Sequence, residues 1–296
     1  MSVYKKLFLL IIIFAIAAII LSYVKGVMLY HPMAPVPEKY DRFYQKLLQL
    51  TESRNYVSNN LIKTSDGIFL DSVYIKNPDT NKCVIFFHGN AGNLSMRFDM
   101  IKFLYNYASV IIFDYRSFGK STGETTNLSD YGLRKDADTI WNFAVEKLNI
   151  RPNNISLFGE SLGCAIAIRL AADLSKTMDS YNYPHSLILN APFYSLVSMM
   201  KVIFDKINIG FVAKLLGVFM SEYQSNEWIK YINHQTKIII AHSPRDEIVP
   251  YNEGWRLYES IRQTHSNIKF VSITGTHNNL GLTDQYIYTL ADLFND

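Results

Sequence analysis

The sequence predicts an α/β domain, a mostly parallel central sheet with helices on both faces and a small helical cap, set behind an N-terminal transmembrane helix. Three observations carry this. Short apolar runs at 82–87, 109–113, 155–158, 186–189, 237–241 and 269–273 alternate mainly with longer segments that suit helices, and strands buried on both faces read as such continuous runs. In residues 155–168, ISLFGESLGCAIAI, one run passes into a helix-like stretch through a serine held between two glycines. Ahead of everything else lie 18 residues without a charge, 7–24.

In chain order, that charge-free run comes first: as a helix it would span about 27 Å, close to the hydrocarbon thickness of a bilayer. Lys5, Lys6 and Ala15-Ile16-Ala17 also fit a cleaved signal peptide, but the apolar run continues past the cleavage site, which favours a retained anchor. The charge balance across the span leans toward an N-terminus inside and the bulk of the chain outside the cytoplasm. Residues 1–25 are therefore the expected anchor and 26–54 a linker and lead-in. Within it HPMAPVPEKY, 31–40, has three prolines and reads as extended. The domain then runs over 55–296. It opens on NLIKT and IFLDSVYI, which flank the hairpin turn chemistry of Ser65-Asp66-Gly67.

Composition narrows the function classes. With 49% apolar and 19% charged residues over 296 positions, the chain buries a substantial core and is not disordered. A net charge of +3, evenly spread, gives no basis for nucleic acid as a partner. Cys83 and Cys164 sit in apolar segments without the spacing of a metal site or disulfide framework and read as buried thiols. No metal or cofactor is expected. GKST, 119–122, resembles the end of a phosphate-binding loop, but Asp114 stands where that loop needs glycine, so no nucleotide is expected either. Asp114 and Arg116 read instead as residues that fix their loop.

Function in such a sheet lies at the carboxyl ends of the strands. Gly-x-Ser-x-Gly between strand and helix is a nucleophile elbow, which lifts the Ser161 hydroxyl clear of the sheet. HGNAGN, 88–93, ends the first parallel strand with glycines that free backbone amides. The amide of Asn90 or its neighbour, with that of Leu162, then forms a candidate oxyanion hole. A serine needs a base and the base an orienting acid. Among the downstream histidines His277 is the candidate, since SITGTHNNL places it in a small-residue loop just past the last strand. His242 follows a strand directly, while His234 and His265 sit in polar, surface-like stretches. Asp246, in IIIAHSPRDEIVP, is the candidate acid, 31 residues before His277, room for one helix and one strand. Glu247 lies beside it, and Glu160, inside the elbow, receives no role.

HGNAGN, DYRSFGKSTG, GESLG, SPRDEIVP and GTHNN, in this order, resemble the α/β-hydrolase superfamily, in particular its serine-aminopeptidase-like group and the single-span branch with an N-terminal anchor. The resemblance covers about 55–295. It implies the α/β-hydrolase fold with Ser161 as nucleophile, His277 as base, Asp246 as its orienter, and Asn90 and Leu162 as backbone oxyanion donors. Ser117, Ser243 and Cys164 depart from glycines frequent among relatives, which opens the shape of the Ser117 loop to question.

A cap is expected at about 194–235. Its apolar stretch includes Met199, Met200, Phe204, Phe211 and Phe219, candidate contacts for an acyl chain, with packing onto the sheet or contact with the bilayer as the alternatives. The expected activity is a membrane-anchored serine hydrolase of carboxylic esters or thioesters with lipid-like acyl groups. The lipid bilayer is the expected partner of the anchor. A peptidase and a non-catalytic membrane-tethered binding protein are the alternatives. A serine enzyme of this kind needs a neutral histidine, so activity is expected to fall below about pH 6.

Overall fold

The computed structural model describes residues 4, 5, 8, 12, 29–176, 183–206, 208, 210–217 and 220–295. Except for Phe8 and Ile12, the expected anchor at 7–24 lies outside them. No helix among the described residues is long and apolar enough to cross a membrane.

The lead-in is more structured than its prolines imply. Strand β1 (His31–Pro32) is extended, but Pro37 then opens helix α1 (Pro37–Thr51). Proline suits the first helical position because the N–H it lacks would have no partner there. Tyr40, Phe43 and Leu47 recur at helical spacing and are at most 1% exposed, each burial stabilising by about 1.5–3 kcal/mol. Residues 37–40 are thus a packed helix start, and the extended reading of 31–40 holds only as far as Val36.

The expected hairpin follows as β2 (Val57–Lys63) and β3 (Phe69–Ile75), antiparallel, with Val57 opposite Ile75. Beyond it the chain alternates. It runs through β4 (Cys83–Phe87), β5 (Ala91–Gly92), α2 (Phe98–Tyr105), β6 (Ser109–Phe113), α3 (Asp130–Asn142), β7 (Ile155–Glu160) and α4 (Leu162–Lys176). Then come β8 (Ser186–Asn190), α5 (Leu196–Asp205), α6 (Gly210–Gly217), α7 (Ser225–Trp228), β9 (Lys237–His242) and α8 (Tyr251–Ile261). The chain closes with β10 (Ile268–Ser272), β11 (Thr274–Thr276), β12 (Asn279–Gly281) and α9 (Asp284–Asn295).

Every apolar run read from the sequence is a strand of one sheet, ordered β10-β9-β8-β7-β4-β6-β3-β2. The strands from β10 to β6 are parallel, and β3 and β2 are antiparallel. Side chains alternate across it. Cys83, Ile85 and Phe87 of β4 join one apolar layer with residues of α3, α4 and α8; Val84 and Phe86 join the other with residues of α1, α2 and α9. Strand order reverses around β4, with β6 on one side and β7 on the other, and a crevice at such a switch point is where an open α/β sheet binds ligands. The loops after β4 and β7 meet there.

Helices α5 to α7 lie between β8 and β9, over the residues at which a cap is expected. Ser195 caps α5 by accepting from the Ser198 N–H at 3.1 Å. Glu253 of α8, buried, accepts the Tyr194 N–H at 3.0 Å and the Ser198 hydroxyl. The cap's first turn is thereby fixed to the helix that follows the acid loop.

Candidate active site

Ser161 occupies the corner between β7 and α4 with φ of 52°, a left-handed conformation that a non-glycine residue adopts only at a cost. The flanking glycines have different tasks. A β-carbon on Gly159 would lie 2.7 Å from the Cys164 backbone nitrogen, and one on Gly163 would run into the Phe87 carbonyl of β4. The helix therefore reaches the sheet only over bare backbone. Ser161 N–H donates to the Asn190 carbonyl at 2.9 Å. Cys164, in place of a frequent glycine, donates its thiol to the Gly159 and Asn190 carbonyls at 3.1 and 3.2 Å. Both thiols are buried and free, as read from their apolar surroundings.

His277 turns the short hairpin β11–β12. In the tautomer that serves both contacts, its Nε2 accepts from the Ser161 hydroxyl at 3.0 Å and its Nδ1–H donates to Asp246 Oδ2 at 2.7 Å. The structure thus brings together three residues spread over 116 positions of sequence. Asp246 Oδ1 accepts the N–H groups of Ile248 and Val249 at 3.0 and 2.8 Å, so its own loop holds it. Burial opposes ionisation of Asp246, but hydrogen bonds from His242 and His277 outweigh it and hold the carboxyl well below the usual carboxylate range.

Three further residues, named in the sequence but given no part in this arrangement, contribute to it. Glu247 accepts the backbone N–H of His277 at 3.1 Å, so the paired acids grip ring and main chain separately. The Ser243 hydroxyl donates to the Gly275 carbonyl at 2.6 Å, tying the acid loop to the histidine loop. His242 is fully buried, with Nε2 2.9 Å from the Val249 carbonyl and 3.4 Å from Asp246 Oδ2. The structure makes His242 the last residue of β9 rather than the residue after it, and its place at the end of an apolar run carried no sequence signal of these contacts. His265 departs from its surface-like reading: it is 3% exposed, with Nε2 2.8 Å from the Thr236 carbonyl.

The loop after β4 lies beside the serine. Asn90 and Leu162 both border the space at Ser161. His88 is buried, with Nδ1 2.7 Å from the Gly89 carbonyl, and helps to shape the loop. Asp114 acts as a hub, accepting the Leu94 N–H and the Tyr40 hydroxyl at 2.7 Å each. Arg116 pairs with Asp136 at 2.8 Å and Asp66 at 3.0 Å. Ser117 takes φ of 66°, a left-handed conformation that glycine adopts freely and serine at a cost of about 1 kcal/mol.

Two cavities meet at Ser161. One, of about 320 Å³, is walled by Leu29, Phe193, Leu196, Met199, Met200 and Ile203 among others. Met199 and Met200, two of the cap residues named from the sequence, line it. Phe204 is not in this wall and packs against the apolar core. Phe211 lies in α6 with its side chain outside the described residues, as is the whole of Phe219. The other cavity, of about 200 Å³, is polar and includes Arg97, Asp99, Glu160 and Asn190. Glu160 Oε2 lies 3.7 Å from Arg97 Nε, and burial pushes its carboxyl up while Arg97 pulls it down. Glu160 and Glu247 are thus both engaged by other groups of the protein.

A serine corner at the end of β7, with a carboxylate after β9 and an imidazole after β11 brought to it, defines the class. A family model described as the alpha/beta hydrolase fold matches residues 82–203, from β4 into the cap. An uncharacterized protein of Acanthamoeba polyphaga mimivirus, R595, is 56% identical over 276 residues, covering 93% of this chain and 94% of its own. The chain belongs to the α/β-hydrolase family. The lysophosphatidylserine lipase ABHD12 of Danio rerio is 26% identical, over 72% of this chain and 56% of that one. A solved Pyrococcus furiosus esterase shares the fold with a TM-score of 0.66 at 18% identity, covering 90% of this chain and 97% of its own.

Proposed function

We propose that the protein is a membrane-anchored serine hydrolase that cleaves carboxylic ester or thioester bonds of lipid-like acyl substrates. The observation that carries this is the hydrogen-bonded chain from Asp246 through His277 to Ser161. His277 Nε2 takes the serine proton as Oγ attacks the acyl carbonyl, and the amides of Leu162 and Asn90 receive the developing oxyanion. His277 then gives its proton to the departing alcohol or thiol. Water, deprotonated by the same imidazole, attacks the acyl-serine and releases the acid.

The paired cavities support an amphiphilic substrate, its acyl chain between Met199 and Met200 and its polar part toward Arg97. A relative named for lipase activity on a lysophospholipid agrees with that class. The charge-free run at 7–24 supports a retained anchor, with the catalytic domain on the extracytoplasmic side.

A fluorophosphonate probe should form one adduct, at Ser161, absent in Ser161→Ala. Labelling that persists in the variant, or that maps elsewhere, overturns the assignment. Activity on esters and thioesters but not peptides is the expected profile of the labelled protein.

A serine enzyme of this kind needs a neutral base, so activity is expected to fall below about pH 6; the carboxyl of Asp246, held well below its ordinary value, stays ionised there and does not set that limb. A profile flat to pH 4 counts against this base.

A further inference from the structure

The apolar cavity is closed on one side by residues 29–33. Leu29 and His31 line it. His31 N–H donates to the Asn90 carbonyl at 3.0 Å, Met33 N–H to the Gly92 carbonyl at 3.4 Å, and Gly119 N–H to the Met33 carbonyl at 3.2 Å. These bonds add β1 as a parallel strand to β5, in the loop beside Ser161. The hydroxyl of Tyr30, 8% exposed, meets that of Tyr223 at 2.6 Å, just past the cap helix α6. Fixed to the oxyanion loop, the Gly119 turn and the cap, this strap is a wall of the site rather than a tether to it.

The charge-free run ends at Val24. From there to Leu29, a step of five residues, the chain reaches at most about 18 Å even when fully extended. Apolar side chains are exposed at the same mouth. Ile203 and Ile248 line the cavity while 38% and 46% exposed, and Met33 on the strap is 40% exposed. An apolar opening rimmed by exposed apolar groups is unfavourable in water and matched by hydrocarbon.

We propose that the strap seats the mouth of the apolar cavity against the bilayer, so that the protein draws its substrate, an acyl lipid resident in the membrane, directly from it. This rests on the acyl-hydrolase reading above and on the retained anchor. The short reach sets the height of the cavity, and the strand pairing makes that height a property of the site itself. A chain end of the lipid enters past Ile203 and Ile248, and its ester carbonyl stops at Ser161.

The test uses the full chain in phosphatidylcholine vesicles, with a fluorogenic palmitoyl ester dissolved in the bilayer and a soluble butyryl ester outside it. A flexible Gly/Ser insert of roughly 20 residues between Lys25 and Gly26 adds about 25 Å of reach. It leaves the described residues unchanged. The insert should lower kcat/KM on the bilayer ester about tenfold or more, by lost effective concentration at the surface. Butyryl turnover and flotation with the vesicles should not change, which also reports that the variant folds. Equal rates on the bilayer ester, an equal loss on both esters, or wild-type protein that fails to float each overturn the proposal. Wild-type protein without butyryl activity overturns the hydrolase reading and this proposal with it.

Discussion

Ser161→Ala lowers kcat/KM on a soluble ester by about 10⁴-fold or more, and His277→Ala added to it costs little beyond that. The reason is that the serine proton has one destination, the imidazole nitrogen 3.0 Å away. With either partner gone, only the backbone amides remain to assist water. Measured rates for the single and double variants decide this. Additive losses mean the two residues do not act as a unit, and activity above about one part in a hundred in Ser161→Ala removes serine as the nucleophile.

Gly163→Ala has the largest expected effect on stability. A β-carbon there would run into the Phe87 carbonyl and lie 2.6 Å from Phe87 C and 2.8 Å from the His88 carbonyl oxygen. All three are backbone atoms in the central strand and the oxyanion loop, so no side-chain rotation relieves the clash. Helix α4 must lift from the sheet it packs on, at a cost of more than about 3 kcal/mol. Gly67→Ala is the matched comparison: its φ is 90°, but nothing lies within 4 Å of the added carbon. It should cost only about 1 kcal/mol of backbone strain. Urea unfolding of the two variants separates crowding from strain, and equal midpoint shifts would refute the crowding account.

These two glycines mark how far the sequence is legible. Residues 82–87 and 155–158 announce strands because both faces of a central strand are buried, a condition that leaves a run of apolar letters. The corner at Ser161 is legible because Gly159 and Gly163 answer a local steric demand. Asp246 and His277 follow because parallel strands deliver their loops to one edge. What was hidden depends on contacts across the fold. Pro37 both ends an extended stretch and starts a helix, and only Tyr40, Phe43 and Leu47 meeting the sheet make it the latter. Residues 31–32 pair with 91–92 across the fold, and no local pattern announces it. His242 looks like any imidazole until the turn at Asp246 folds back on it, and Phe204 looks like Met200 until the cap's tilt is known.

Cys164 lies directly beneath the elbow, its thiol donating to two carbonyls and pushed well above its ordinary pKa by burial. Cys83 is likewise buried, with its thiol pushed up by desolvation. A sulfur kept protonated and out of reach is a poor target for peroxide or glutathione. Neither thiol therefore ties the hydrolysis proposed at Ser161 to the redox state of a compartment.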